Sequence, residues 1–128
     1  MWRMLIVLFL LAHGAIHAAV WATPRTAAAP FDPGHSWLLG GLGLGDAAAR
    51  PLSIALALVG MLGFMGAGIG LYAQQEWWRA LAVSAAAISL VLIALYFNAW
   101  LSGAALLNAG IVLALAWAHW PSAETIGA

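Results

Sequence analysis

Charged residues are scarce in this chain of 128 amino acids. Only 6% of the residues are Asp, Glu, Lys or Arg, whereas 66% are hydrophobic. A soluble domain of this size carries about a quarter charged residues, because its surface must stay hydrated. A chain so poor in charge needs lipid as part of its solvent. The composition therefore predicts an integral membrane protein.

Further absences exclude classes of function. The chain has no cysteine, which excludes disulfides, thiolate metal sites and cysteine nucleophiles. It has no lysine and a formal net charge of zero, so it offers no basic surface for a nucleic acid. No serine stands in a nucleophile-elbow sequence, and the glycine-rich residues 40–45 match neither a Walker loop nor a dinucleotide fingerprint. Enzymatic activity is therefore not indicated, and we expect the lipid bilayer as the partner of the chain.

Long apolar runs divide the chain into four segments with the length of a membrane span. About 20 apolar residues cross the hydrocarbon core as a helix. The predicted spans are residues 4–22, 51–73, 80–97 and 102–120. Trp and Tyr residues stand near the ends of these spans, as they do at membrane interfaces. The sequence predicts an all-α fold, a single transmembrane domain built as a four-helix bundle.

The first span has an alternative interpretation, and the loop after it is the only long connection. Arg3 before an apolar run, and a Val-Trp-Ala sequence at its end, also suit a cleaved signal peptide. Residues 23–50 form the loop and hold three of the five prolines. Within it, Asp32 and Pro33 suit the N-cap and first residue of a short helix. Pro51 suits the first turn of the second span.

Small residues form one face of the second span. Gly63, Gly66, Ala67 and Gly70 fall on the same side of a helix, and such faces allow another helix to approach closely. Packing within the same chain is the simpler interpretation. The alternative is an interface with a membrane protein partner or with a second copy, which would permit a homo-oligomeric channel or transporter.

Polar side chains inside the spans are few, and four of them lie at one depth. A rise of about 1.5 Å per residue brings His13, His17, Ser89 and Asn108 to the same level, in the half of the bilayer next to the long loop. His119 falls at the opposite membrane face. Carboxylates, which ion-coupled transporters usually carry within the membrane, are missing from the spans.

The two histidines of the first span suggest a metal site. His13 and His17 are four residues apart, so their side chains share a helix face about 6 Å apart. Such a pair can chelate a metal ion, and His35 from the loop or Asn108 would complete the shell. Haem is a less favoured cofactor, because two histidines on one turn cannot occupy its opposite axial positions. Simple interhelical hydrogen bonding, worth about 0.6 kcal/mol, and a role with a proton or substrate are the competing interpretations.

The sequence Ala-His-Gly-Ala-Ile-His at residues 12–17 resembles the first helix of a group of small bacterial four-span membrane proteins. These carry an Ala-His-Gly-x-x-His pattern and have no established activity. Residues 31–39 also resemble their first loop, so the likeness covers about the first third of the chain. The resemblance implies four spans in a bacterial cell membrane. It leaves an interaction or accessory protein as the favoured function, with metal or cofactor binding as the alternative.

Four spans place both termini on the same side of the membrane. The positive-inside count is a tie, because Arg3 and Arg79 lie on the side of the termini and Arg25 and Arg50 lie opposite. Arg3 precedes the first span, and the long loop is the segment better suited to export. We therefore expect cytoplasmic termini.

Overall fold

The computed structural model describes residues 1–23 and 31–127. Within these ranges the chain is helical and contains no strand. Four helical segments are long and apolar enough to cross a membrane, which confirms the predicted all-α four-helix bundle of a multi-pass membrane protein. The elements in chain order are α1 (Trp2–Trp21), α2 (Trp37–Gly41), α3 (Gly45–Tyr72), α4 (Trp78–Leu95), a 3-10 turn (Ala99–Leu101), α5 (Ser102–Val112), a π-helical turn (Leu113–Trp117) and α6 (Ala123–Ile126).

Helix α3 occupies the centre of the bundle. It packs against α1 on one side and α4 on the other, and α4 packs in turn against α5. Helices α1 and α5, both fully described, approach each other at few points. A gap therefore remains between them, open toward the surrounding lipid, and we call it the α1–α5 seam.

Glycines on two sides of α3 allow this central position. A Cβ atom at Gly63 would lie 2.8 Å from the Cβ of Ala85, and one at Gly70 would lie 2.7 Å from the ring of Trp77. Gly66 lies against Leu81 in the same way, and Ala67 is fully buried. The predicted small-residue face of α3 is thus covered by residues of the same chain, mainly from α4.

The other side of α3 meets α1 through glycines that sequence analysis did not single out for this contact. A Cβ at Gly60 would lie 3.2 Å from the imidazole of His17, and one at Gly68 would lie 3.2 Å from Leu11. On α1 itself, a Cβ at Gly14 would lie 2.9 Å from the carbonyl oxygen of Met61. Glycine between the two histidines therefore serves the close approach of α1 to α3.

Two helix starts differ from the sequence-based prediction. Helix α3 begins at Gly45 and contains Pro51. Gly43 and Gly45 have φ values of 74° and 64°, and this left-handed backbone, which glycine adopts freely, turns the chain directly from α2 into α3. Helix α2 is capped by Ser36, whose Oγ accepts a hydrogen bond from the Leu39 amide at 3.2 Å, so the cap predicted at residue 32 is wrong.

The segment after residue 30 folds onto the end of the bundle. Ser36 Oγ donates to the carbonyl of Leu95 at 2.5 Å, and Trp37 Nε1 donates to that of Ala94 at 2.8 Å. From the bundle side, Ser53 Oγ donates to the carbonyl of Pro33 at 2.7 Å. These bonds fix the described part of the predicted loop over the ends of α3 and α4. Residues 24–30 of that loop, with Arg25, lie outside the described residues.

Candidate functional site

Four buried polar side chains from three helices meet in the membrane-spanning part of the bundle. His13 and His17 come from α1, Ser89 from α4 and Asn108 from α5, and each is at most 6% exposed. His17 Nε2 lies 2.9 Å from Ser89 Oγ, and His13 Nε2 lies 3.2 Å from Asn108 Oδ1. We call these four residues the histidine layer; the structure brings together the residues that depth counting placed at one level.

The orientation of Asn108 fixes the proton on His13. The Asn108 Nδ2 group donates to the carbonyl oxygen of Ala104, one turn earlier in α5, at 2.8 Å. Its Oδ1 atom therefore faces His13, and a carbonyl oxygen can only accept a hydrogen bond. It follows that His13 Nε2 carries the hydrogen and that, in the neutral ring, His13 Nδ1 carries the lone pair.

His17 has the opposite arrangement. Its Nδ1 lies 2.9 Å from the carbonyl oxygen of His13, which again can only accept, so Nδ1 carries the hydrogen. In the neutral ring Nε2 is then an acceptor, and the Ser89 hydroxyl donates to it. Both nitrogens of His17 are thus occupied. Within the described part of the chain, His13 Nδ1 is the one imidazole nitrogen of the histidine layer without a hydrogen-bond partner.

Aromatic rings enclose the two imidazoles. Phe9 stacks on His13 with ring centroids 5.6 Å apart, and Phe64 of α3 meets the edge of His13 at 4.5 Å. The His13 and His17 rings lie 5.1 Å apart and nearly perpendicular. Neither Phe9 nor Phe64 is predicted as a neighbour of the histidines from the sequence. The spacing of Phe9, one turn before His13, could have indicated the first contact, but the second depends on how α1 packs on α3.

The predicted metal shell is not assembled. His35 Nδ1 lies 3.1 Å from Asp46 Oδ1, and both side chains are largely exposed, at 64% and 75%. In the described ranges no three His, Asp or Glu side chains come close enough to hold one metal ion. Binding a metal through both His13 and His17 would also require His17 to release Ser89. His35 is kept away because Ser36 and Trp37 anchor the segment to the end of α4.

His119 lies apart from the histidine layer. It is exposed and follows the π-helical turn, with a left-handed φ of 51°. From the sequence, we predict it at the end of the fourth span, at the opposite membrane face. It lies beyond Trp117, and among the described residues no hydrogen bond or ring contact joins it to the two histidines of α1.

The histidine layer forms one wall of a cavity with a volume of about 240 Å³. We call it the polar cavity; apart from the layer it is lined by hydrophobic and aromatic residues of α1, α4, the 3-10 turn and α5. These residues are Ile16, Val20, Trp21, Ile93, Trp100, Leu101 and Ala104. The cavity lies in the α1–α5 seam and is only partly enclosed, so it can be reached from the lipid.

A second cavity continues in the same seam toward the chain termini. It also has a volume of about 240 Å³ and is lined almost entirely by carbon atoms, so we call it the apolar cavity. Its residues are Trp2, Leu5, Ile6, Phe9, Leu10, Trp78, Ile111, Ala114, Leu115, Trp120 and Pro121. Phe9 and Ile111 stand one helical turn from His13 and Asn108 respectively, so the two cavities are neighbours.

Comparison with known proteins adds no relative. No protein-family model, no curated protein and no solved structure matches the chain.

Proposed function

We propose that this chain is a small multi-pass membrane protein that binds a membrane-soluble small molecule in the polar cavity and acts as a binding or accessory protein. One observation carries the proposal: four polar side chains from three helices converge on a cavity that is otherwise apolar. An apolar pocket with a few convergent polar groups is the usual form of a small-molecule site. Polar residues in a bilayer are costly and commonly mark such sites.

The open seam supports entry of the ligand from the bilayer. Ile16 lines the cavity and is 54% exposed on the outside of α1, so the site borders the lipid directly. A ligand that partitions into lipid would reach it without crossing the loop side of the protein. This route is consistent with the hydrophobic outer surface of the helices, which would be in contact with lipid.

The geometry gives less support to the two alternatives. Among the described residues, a metal ion would find one unpartnered imidazole nitrogen in the histidine layer and no group of three His, Asp or Glu side chains able to hold it. A homo-oligomeric channel built on Gly63, Gly66 and Gly70 would need a face of α3 that Ala85, Leu81 and Trp77 already cover. Binding of a neutral molecule requires neither the release of Ser89 by His17 nor the exposure of this face of α3.

We also propose a membrane and an orientation for the chain. The resemblance of residues 12–17 to bacterial four-span proteins favours a bacterial cell membrane, with Arg3 favouring cytoplasmic termini. Fusion of an alkaline phosphatase or a green fluorescent protein to the C terminus tests this orientation. We expect fluorescence without phosphatase activity, and an active phosphatase fusion would reverse the assignment.

Filling the polar cavity tests the binding function. The full chain is reconstituted into nanodiscs made with a bacterial lipid extract, and bound small molecules are identified by native mass spectrometry after release from the lipid. We expect a bound species with the natural chain and its loss with Ile16→Trp, whose larger side chain occupies the cavity. Leu8→Trp is the matched control, because Leu8 lies on the same helix, is similarly exposed at 58%, and lines neither cavity.

Two results would reject the binding function. One is a natural chain that retains no small molecule beyond the annular lipids of the nanodisc. The other is equal retention by the Ile16→Trp and Leu8→Trp proteins, which would locate any bound species outside the polar cavity.

A further inference from the structure

We propose that the ligand is a lipid with one neutral hydroxyl head, whose O–H group donates to Nδ1 of His13 and whose hydrocarbon chain lies along the α1–α5 seam. This inference rests on the proposed binding function and names the class of molecule bound. It is carried by the direction of the hydrogen bonds in the histidine layer and by the position of the apolar cavity beside it.

The hydrogen bonds of the layer select a head group that donates. Both ring nitrogens of His17, the Ser89 hydroxyl hydrogen and both ends of the Asn108 amide have partners. The one ring nitrogen left without a partner among the described residues is the acceptor Nδ1 of His13, beside the second N–H of Asn108 and the lone pairs of the Ser89 oxygen. A ketone, ester or carboxylate oxygen would place a second lone pair against it, whereas a hydroxyl can donate. An ammonium head could also donate, but burying a charge without a counter-ion is far more costly than burying a hydroxyl.

The apolar cavity receives the chain. It begins one turn from the histidine layer and is lined by side chains such as Leu5, Phe9 and Ile111, which offer no partner for a polar group. A hydroxyl at His13 would thus stand in the polar cavity while the attached hydrocarbon follows the seam toward the chain termini. A molecule with one polar end and a long apolar body matches a polar cavity followed by an apolar cavity.

A hydrocarbon chain fits the seam better than a helix from another protein. His13 and Asn108 are joined directly across it, with 3.2 Å between Nε2 and Oδ1. A helix with its side chains is about 10–12 Å wide and could not enter at this level without breaking that bond. A single alkyl or isoprenoid chain is much thinner, and in this proposal it passes the bond on its lipid-facing side.

A series of ligands with one chain and four heads tests the selection. The purified full chain in detergent is incubated with radiolabelled hexadecanol, and hexadecanol, palmitate, hexadecylamine and hexadecane compete for binding. We expect hexadecanol to compete at a concentration about tenfold or more below the other three, since one hydrogen bond in a dry site contributes about this factor. Geranylgeraniol and a long-chain hydroquinone, tested in the same way, distinguish an isoprenoid alcohol from a phenol.

Two substitutions of His13 separate its two nitrogens. In His13→Gln the side-chain amide reaches the Nε2 position and can still donate to Asn108, but the acceptor at Nδ1 is lost. In His13→Asn an acceptor remains near the Nδ1 position and the bond to Asn108 is lost. We expect His13→Gln to fold normally and lose the preference for hexadecanol over hexadecane, and His13→Asn to keep that preference if it folds.

The chain position is tested with Leu5→Trp, which fills the apolar cavity, against Leu8→Trp, which does not line it. Leu5→Trp should weaken hexadecanol about tenfold and leave the short alcohol octanol unchanged, whereas Leu8→Trp should affect neither.

The outcomes distinguish this inference from the binding function itself. Palmitate or hexadecylamine binding as tightly as hexadecanol, or a His13→Gln protein that still prefers hexadecanol, would overturn the hydroxyl-lipid assignment. If, in addition, Ile16→Trp abolished the native ligand, the binding function would stand and only the ligand class would be wrong. If no ligand bound saturably and no species were retained from the lipid extract, both the hydroxyl-lipid assignment and the binding function would be rejected.

Discussion

The Nε2 atom of His17 lies 2.9 Å from the Oγ atom of Ser89, and this bond joins two helices that are not packed as neighbours. Helix α1 packs on α3, and α3 separates it from most of α4. The bond from His13 to Asn108 likewise joins α1 to α5 across the seam. The histidine layer therefore ties α1 to both helices beyond its packing partner, at the level where the polar cavity opens.

Removing the Ser89 hydroxyl should weaken this tie. We expect Ser89→Ala to lower the free energy of unfolding by about 0.6–1.7 kcal/mol, the range of interhelical hydrogen bonds in membrane proteins. Unfolding in mixed micelles with increasing SDS measures the change. Ser84→Ala is the matched control, since Ser84 lies on the same helix but is exposed and should be neutral. A Ser89→Ala protein as stable as the control would show that the bond contributes nothing.

The two histidines should be neutral and hold opposite tautomers. The carbonyl of His13 requires the hydrogen of His17 on Nδ1, and the Oδ1 of Asn108 requires that of His13 on Nε2. Solid-state NMR of the protein in lipid, with nitrogen-15 in its histidines, distinguishes the two forms by their ring-nitrogen shifts. Asn108→Leu should change the signals of His13 and leave His17 as an Nδ1–H tautomer. Two rings of the same tautomer, or a cationic pair, would contradict the assigned bonds.

Adding one methyl group to α3 should disrupt its packing on α4. In Gly63→Ala the new Cβ would lie 2.8 Å from the Cβ of Ala85, so the helices must separate. We expect a loss of about 1–3 kcal/mol in unfolding free energy, the usual cost of overpacking. Gly110→Ala in α5 adds the same group where no atom lies within 4 Å, and it should be neutral or stabilising. A Gly63→Ala protein as stable as the Gly110→Ala protein would show that the contact with Ala85 does not limit the packing of α3 on α4.

The sequence was sufficient for the bundle because span length and hydropathy are local properties. Depth counting also grouped His13, His17, Ser89 and Asn108. Every helix rises by the same distance per residue, so the position of a residue in its span gives its depth in the bilayer. Depth counting could not assign bonds within the group, because these depend on which faces of the helices meet.

The position of His35 and the start of α3 differ from what the sequence suggested, for reasons that lie outside local sequence. His35 pairs with Asp46 because Ser36 anchors the segment to Leu95, a contact between residues far apart in the chain. Helix α3 starts before Pro51 because glycines with left-handed φ turn the chain early, and a proline in an early turn removes only a single helical bond. Neither the pairing of His35 nor the early start of α3 can be predicted from the residue types at those positions alone.

Ser36 should control how firmly the loop segment holds to the bundle. Its Oγ accepts from the Leu39 amide and donates to the Leu95 carbonyl, so Ser36→Ala removes a helix cap and a tertiary bond together. A cap alone contributes about 0.5–2 kcal/mol, and we expect hydrogen exchange to speed up in residues 37–44 while the spans remain protected. Ser102→Ala is the control, because Ser102 is exposed and its side chain makes no hydrogen bond within the described residues. Because Leu39 of this segment belongs to the same buried cluster as Ile93 of the polar cavity, release of the segment should accelerate ligand exchange without changing head-group selectivity. Exchange rates in residues 37–44 that match those of the natural chain would show that Trp37 and Ser53 hold the segment without Ser36.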